Sequence, residues 1–148
     1  MEFKKKVFIG IDADTHKSGV AVKCGKIFNL YNLTFFELFE KLNGISINSK
    51  ESGIPTEVHV ECGFLNGGNR HKVFGGSHAL NSKIGERIGA NHETAKKICE
   101  MCDYLGLEYK QIRPTKSKTN SDFFKQITGY DKRTNQEQRD ALMLIWGL

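Results

Sequence analysis

The sequence predicts an α/β domain built on a mixed five-stranded sheet, three antiparallel strands followed by parallel ones, with helices on both faces. Two observations predict it. Three short apolar runs joined only by turns fill the first 33 positions, and the remainder of the chain alternates helical with strand periodicity. A third observation concerns chemistry: the run VFIGID, apolar enough to be buried, ends on Asp12. An ionised carboxylate there is costly unless a cation or a set of hydrogen bonds compensates it.

Residues 6–12 and 18–24 read as strands, joined by the polar turn ADTHK, in which Asp14 suits an Asx turn. Residues 26–32 (KIFNLYN) come after Gly25 as a third strand and complete a meander. Thr34 caps a helix over 35–42, with Glu37 in the capping-box position and Asn43-Gly44 as its stop. SINSKESGIP reads as a surface loop, and TEVHVE, 56–61, as a strand that returns parallel to the first because a helix precedes it. GFLNGGNRHKVFGGS is too dense in Gly and Asn for regular structure and reads as a long loop, functional or disordered. Helical spacing resumes over 79–106, weakened at Gly85 and Gly89. A short strand, 107–113, is closed by Pro114, and helices at 121–128 and 135–146 complete the chain. The order is similar to that of RNase H-like proteins.

A chain of 148 residues, 39% hydrophobic and 26% charged, is expected to form one globular domain, 1–148, that buries a core without disulfides or structural metal. Its net charge of +5 favours a polyanionic partner. No run approaches the ~20 apolar residues of a membrane span. MEFKKK is basic but lacks the apolar core of a secretory signal, so a cytoplasmic setting with reduced thiols is expected. Cys99 and Cys102 have the spacing of a zinc or redox half-site, but they fall on the helical stripe Ala95, Ile98, Cys99, Cys102, Leu105 and read as core.

With the fourth strand beside the first, Asp12 and Glu61 emerge at one edge of the sheet, each at its strand's carboxyl end, where open α/β sheets place their ligands. The last helix adds Glu137 and Asp140, three apart and on one face, and its Ala141, Leu142, Leu144, Ile145 and Trp146 bury it against the sheet. Carboxylates from three elements suit one or two Mg²⁺ or Mn²⁺ ions, which prefer oxygen donors. Such a site can activate a water and stabilise the leaving oxygen of a phosphodiester. Singly, each acid has an ordinary reading: Asp12 a turn residue, Glu61 a lysine partner, Glu137 and Asp140 acids favoured by a helix dipole. Their order along the chain carries the case.

With these segments quoted, the chain resembles the RuvC-like Holliday junction resolvases of the RNase H-like superfamily, including the short versions of phages and prophages. The resemblance lies in IGIDADTHKSGVAV around Asp12, VHVECGF around Glu61 and EQRDALMLI around Glu137 and Asp140, and it runs over residues 6–146. It implies that Asp12, Glu61, Glu137 and Asp140 are the catalytic and metal-binding set, with one or two Mg²⁺ or Mn²⁺ ions per site. It implies a base-stacking role for Phe64, three residues after the strand glutamate. The activity implied is that of a metal-dependent crossover junction endodeoxyribonuclease, cutting four-way DNA by paired symmetric nicks as a homodimer. Two departures stand out: Ala13 and Asp14 replace a common proline and glycine, and Glu137 replaces an aspartate, reaching one methylene farther.

Between 110 and 139 lie Lys110, Arg113, Lys116, Lys118, Lys125, Lys132, Arg133 and Arg139, cations suited to phosphates. Lys116 and Lys118, on the loop after the fifth strand, are expected to open on the acidic edge, and the resemblance implies a functional lysine in this region. Lys83, Arg87 and Asn91, on the long helix, are secondary candidates for DNA contact. No helix-turn-helix or zinc finger is evident, so the expected target is the shape of branched DNA. Two alternatives keep the fold: a nuclease acting on flaps, forks or an RNA/DNA hybrid, and a junction-binding protein without catalysis. A sugar-kinase or actin-like ATPase needs two such domains around its nucleotide, so no nucleotide cofactor is expected.

Overall fold

The structure, a computed structural model, describes residues 5–66 and 76–148. Strands β1 (Val7–Asp12), β2 (Ser18–Cys24), β3 (Ile27–Leu33), β4 (Thr56–Glu61) and β5 (Glu108–Ile112) form one five-stranded sheet in the order β3-β2-β1-β4-β5. The first three pair antiparallel; β4 joins β1 in parallel and β5 joins β4 in parallel. This is the mixed sheet, three antiparallel strands followed by parallel ones, that the element order predicts.

Helices α1 (Phe35–Ser52) and α2 (His78–Leu105) cover one face, and α3 (Ser121–Thr128) and α4 (Gln136–Met143) the other. Strand alternation divides the core accordingly. Ile9, Ile11, Val58 and Val60 point toward Leu38 and Leu42 of α1 and Ile98 and Cys102 of α2. Ala21 on the opposite face meets Phe124, Ala141, Leu142 and Ile145. Cys99 and Cys102 are buried core residues, as their place on the apolar stripe predicts. Among the described residues no helix is long and apolar enough to cross a membrane.

The capping box at Thr34 and Glu37 forms as expected, with backbone-to-side-chain bonds of 3.0 and 3.3 Å. The helix it starts does not stop at Asn43-Gly44. It continues through SINSKES to Gly53, whose φ of 72° ends it and whose N–H donates to Ser49 O at 3.0 Å. The local stop is overridden by tertiary packing: Ile45 extends the apolar stripe of Leu38 and Leu42, and the buried Ser46 hydroxyl donates to Leu105 O of α2 at 2.8 Å. A mid-helix glycine costs only about 1 kcal/mol against that. The glycine-rich segment begins as a single 3₁₀ turn, Gly63–Leu65; its residues 67–75 lie outside the described residues. The inner face of α2 begins at Ala95, and none of residues 78–93 is buried.

The seat of α4 is the feature that positions the chemistry. A Cβ on Gly10 of β1 would lie 2.0 Å from Ala141 O, and one on Gly19 of β2 would lie 2.1 Å from Glu137 O. Helix backbone therefore rests directly on strand backbone, with no side-chain layer between. Because the obstruction is main chain, Gly10→Ala and Gly19→Ala should each lose about 3 kcal/mol in urea unfolding. Gly44→Ala meets nothing within 4 Å and should instead gain up to about 1 kcal/mol.

Candidate active site

Asp12 and Glu61 are direct Cα partners in the parallel β1–β4 ladder, so their side chains leave the same face about one strand spacing, ~4.8 Å, apart. The turn after Asp12 closes without proline or glycine: the His16 N–H donates to Asp14 Oδ1 at 2.8 Å and the Asp14 N–H to Ser18 Oγ at 3.1 Å. This is the Asx turn anticipated from Asp14. Over the same face α4 starts at an Asn135 cap with a reciprocal Gln138 contact, which sets Glu137 and Asp140 in its first two turns.

Asp140 is held from both sides. Lys118 Nζ lies 2.7 Å from its Oδ2, and Gln136 Nε2 donates to its Oδ1 at 2.8 Å. The loop carrying Lys118 is tied to α4 through the Thr119 carbonyl, which accepts from Gln136 Nε2 at 3.2 Å and Arg139 Nε at 2.9 Å. Arg139 also donates to Thr134 O and Oγ1, at 3.0 and 2.9 Å. Arg139 thus acts as a strut, and Lys110 pairs with the buried Glu57 at 3.2 Å; neither is the free surface cation its place in the basic stretch suggests. Gln136 escaped the sequence reading, although its i,i+4 spacing to Asp140 was the available signal.

This crowding sets the electrostatics. Burial, the charges of Glu61 and Asp140 and a smaller contribution from Glu137 push the Asp12 carboxyl up to about 8, against the pull of Lys118. Burial also raises Glu61; Lys118 opposes the rise and Asp140 adds to it. Burial alone would lower Lys118, but its bond to Asp140 and the charges of Asp140, Glu61 and Asp12 hold it above its ordinary value. Among the described residues no group of three His, Cys, Asp or Glu side chains stands ready to hold a metal ion, and Asp140 is paired with Lys118. The donor chemistry nevertheless fits a hard divalent cation: the groups at this edge are carboxylates, and Asp12 is destabilised by burial and by the negative charge around it.

Asp12, Glu61, Lys116 and Lys118 line a cleft of about 530 Å³, together with Asn66 and the α2 residues Ile88, Asn91 and His92. Arg113 lines a smaller recess with Glu61, Lys118 and Asp140. Glu137 lines neither. Phe64 is part-buried in the 3₁₀ turn, packed on the core, edge-on to His92 at 6.3 Å and 5.5 Å from Lys96 Nζ. Lys83 and Arg87 are exposed on the outlying part of α2, away from the cleft lining.

A solved structure of T. thermophilus RuvC in complex with a Holliday junction substrate is similar to this chain, with a TM-score of 0.43 and 15% identity, covering 94% of this chain and 89% of that one. No family model and no curated protein matches the chain.

The raised Asp12 carboxyl makes a prediction about stability. Between its ordinary value of 3.8 and about 8 the folded chain binds more protons than the unfolded one, so without divalent ions stability falls as pH rises through that window. In thermal denaturation in EDTA, Asp12→Asn should melt close to the parent chain near pH 4 and several degrees above it at pH 8.

Proposed function

We propose that this chain is a divalent-metal-dependent, structure-selective endonuclease of the RuvC-like type that resolves four-way DNA junctions by paired nicks. The observation that carries the reading is the pairing of Asp12 with Glu61 at the end of the β1–β4 ladder, with the charge of Asp140 on α4 acting on both, beside a cleft bordered by Lys116 and Lys118. Asp12, Glu61 and Asp140 would hold one or two Mg²⁺ or Mn²⁺ ions, with Glu137 as a longer carboxylate that would complete the set or orient a water. When bound, such an ion supplies Lewis-acid chemistry for phosphodiester hydrolysis, lowering the pKa of water and stabilising the leaving oxygen.

Lys116, Lys118 and Arg113 take the phosphates of the strand entering the cleft, and Phe64 offers a ring to a base opened at the branch. Lys83 and Arg87 extend the basic contact along α2. Lys118 balances the charge of Asp140, and with a divalent ion held by the carboxylates its ammonium would be available to a phosphate. Paired nicks in a two-fold symmetric junction require two such sites, supplied by a C₂ homodimer acting in the cytoplasm.

Asp12→Asn, Glu61→Gln and Asp140→Asn should each lose Mg²⁺-dependent cleavage of a synthetic four-way junction on a denaturing gel while still shifting that junction on a native gel. Cleavage retained in all three would refute the site. Equal nicking of a flap or an RNA/DNA hybrid would move the substrate while keeping the chemistry, and binding without cleavage in both Mg²⁺ and Mn²⁺ would leave a junction-binding protein.

A further inference from the structure

We propose that Cys62 and Cys99 are a redox pair: hydrogen peroxide joins them in a disulfide that shifts Glu61 against Asp12 and turns the acidic edge off. The loss of activity rests on the nuclease reading, whereas the bond itself does not. The observation is a meeting of thiols outside the carboxylate site. Cys62, the residue after Glu61, and Cys99 of α2 both lie in the core between the sheet and the helix, and their side chains are hydrogen-bonded to each other. Neighbouring strands fix both partners. The Cys62 N–H donates to Ile112 O at 2.8 Å, and Gln111 Nε2, one residue earlier on β5, donates to Cys99 Sγ at 3.8 Å.

Geometry also decides which cysteines can join. Cys99 and Cys102 stand three apart on the unbroken helix α2, where Cβ atoms are about 5–6 Å apart. A disulfide needs Cβ atoms about 3.5–4.5 Å apart, so that pair cannot close while the helix stands. Burial, with the charge of Cys99 adding to it, pushes the Cys102 thiol up to about 12 and keeps it protonated. Cys24 pairs with Val7, at the opposite end of β1 from Asp12. Cys62 and Cys99 remain. The hydrogen bond from Cys62 holds the Cys99 thiol below its ordinary value against the effect of burial, with Gln111 assisting, which makes Cys99 the nucleophile. At 4% exposure Cys99 is closed to bulky oxidants, and peroxide is little larger than water.

The Cys99 thiolate attacks one peroxide oxygen, giving a sulfenic acid and releasing hydroxide. The Cys62 sulfur then attacks the sulfenic sulfur. The S–S bond forms, and the sulfenic oxygen leaves as water with the Cys62 proton. Two electrons have passed from the thiols to the peroxide. Sulfurs in contact must close to about 2.05 Å to make this bond. Cys62 cannot follow without carrying the end of β4, and Glu61 is the adjoining residue, so its carboxylate moves relative to Asp12. Displacing a catalytic group by even about 1 Å costs a large factor in rate.

The test treats the full chain with hydrogen peroxide in EDTA, removes the oxidant with catalase, and maps disulfides by mass spectrometry of unreduced peptides alongside Mg²⁺-dependent cleavage of a four-way junction. A Cys62–Cys99 bond should form, cleavage should fall roughly tenfold or more, and dithiothreitol should reverse both. Cys99→Ala and Cys62→Ala should each keep their cleavage through the same treatment, and Cys24→Ala should respond as the parent does. Any other disulfide, oxidation that leaves Cys62 and Cys99 unjoined, a bond without loss of cleavage, or an equal peroxide effect in Cys99→Ala would overturn the inference while junction cleavage stood. A reduced parent that cuts no junction would overturn the nuclease reading and the switch, and the peptide map would still decide whether the two thiols pair.

Discussion

The close approach of α4 to β1 and β2 is the constraint on which the rest of the molecule depends. Ordinarily a helix is held about a side-chain layer above a sheet, and the spacing adjusts as that layer repacks. Here Gly10 and Gly19 remove the layer, and main chain rests on main chain. Ile145, Leu142 and the edge-on pair of Trp146 with Phe28 then fasten the far end of the helix region. The height of Asp140 above Asp12 is therefore fixed by atoms that have no rotamers.

That rigidity has an electrostatic cost. Apolar burial and backbone contact force carboxylates together that would separate if free, and Asp12 bears most of the penalty. The chain offsets part of it with one ammonium, Lys118, and fixes the loop that delivers it through the doubly bonded Thr119 carbonyl. An arrangement that is unfavourable without a cation and well provided with oxygen donors is characteristic of a site shaped by its ligand more than by folding.

The strands, the Thr34 capping box and the chain order of the acids were legible because each is written in local periodicity or in a residue pair a few positions apart. The Asp12–Glu61 pairing came from the rule that a strand–helix–strand unit returns in parallel. The end of α1 was not legible, since Asn43-Gly44 is a sound local stop and the Ser46–Leu105 bond that overrides it spans two helices. Gly10 and Gly19 carried no local signal in their strands, because what they admit is the backbone of a helix more than a hundred residues later. The same holds for Arg139, which by composition is one more surface cation and in the fold is a brace.

The ladder that makes Asp12 and Glu61 partners also determines how such a site can diversify. A parallel register changes only in whole residues, and a slip of one would send either side chain through the sheet to the opposite face. With the helix height fixed as well, the skeleton of the site is quantised and no gradual adjustment of its main chain is open to it. Fine tuning is left to side-chain length, the one-methylene choice between aspartate and glutamate, which at Glu61 and Glu137 changes the reach of a carboxylate without moving the main chain.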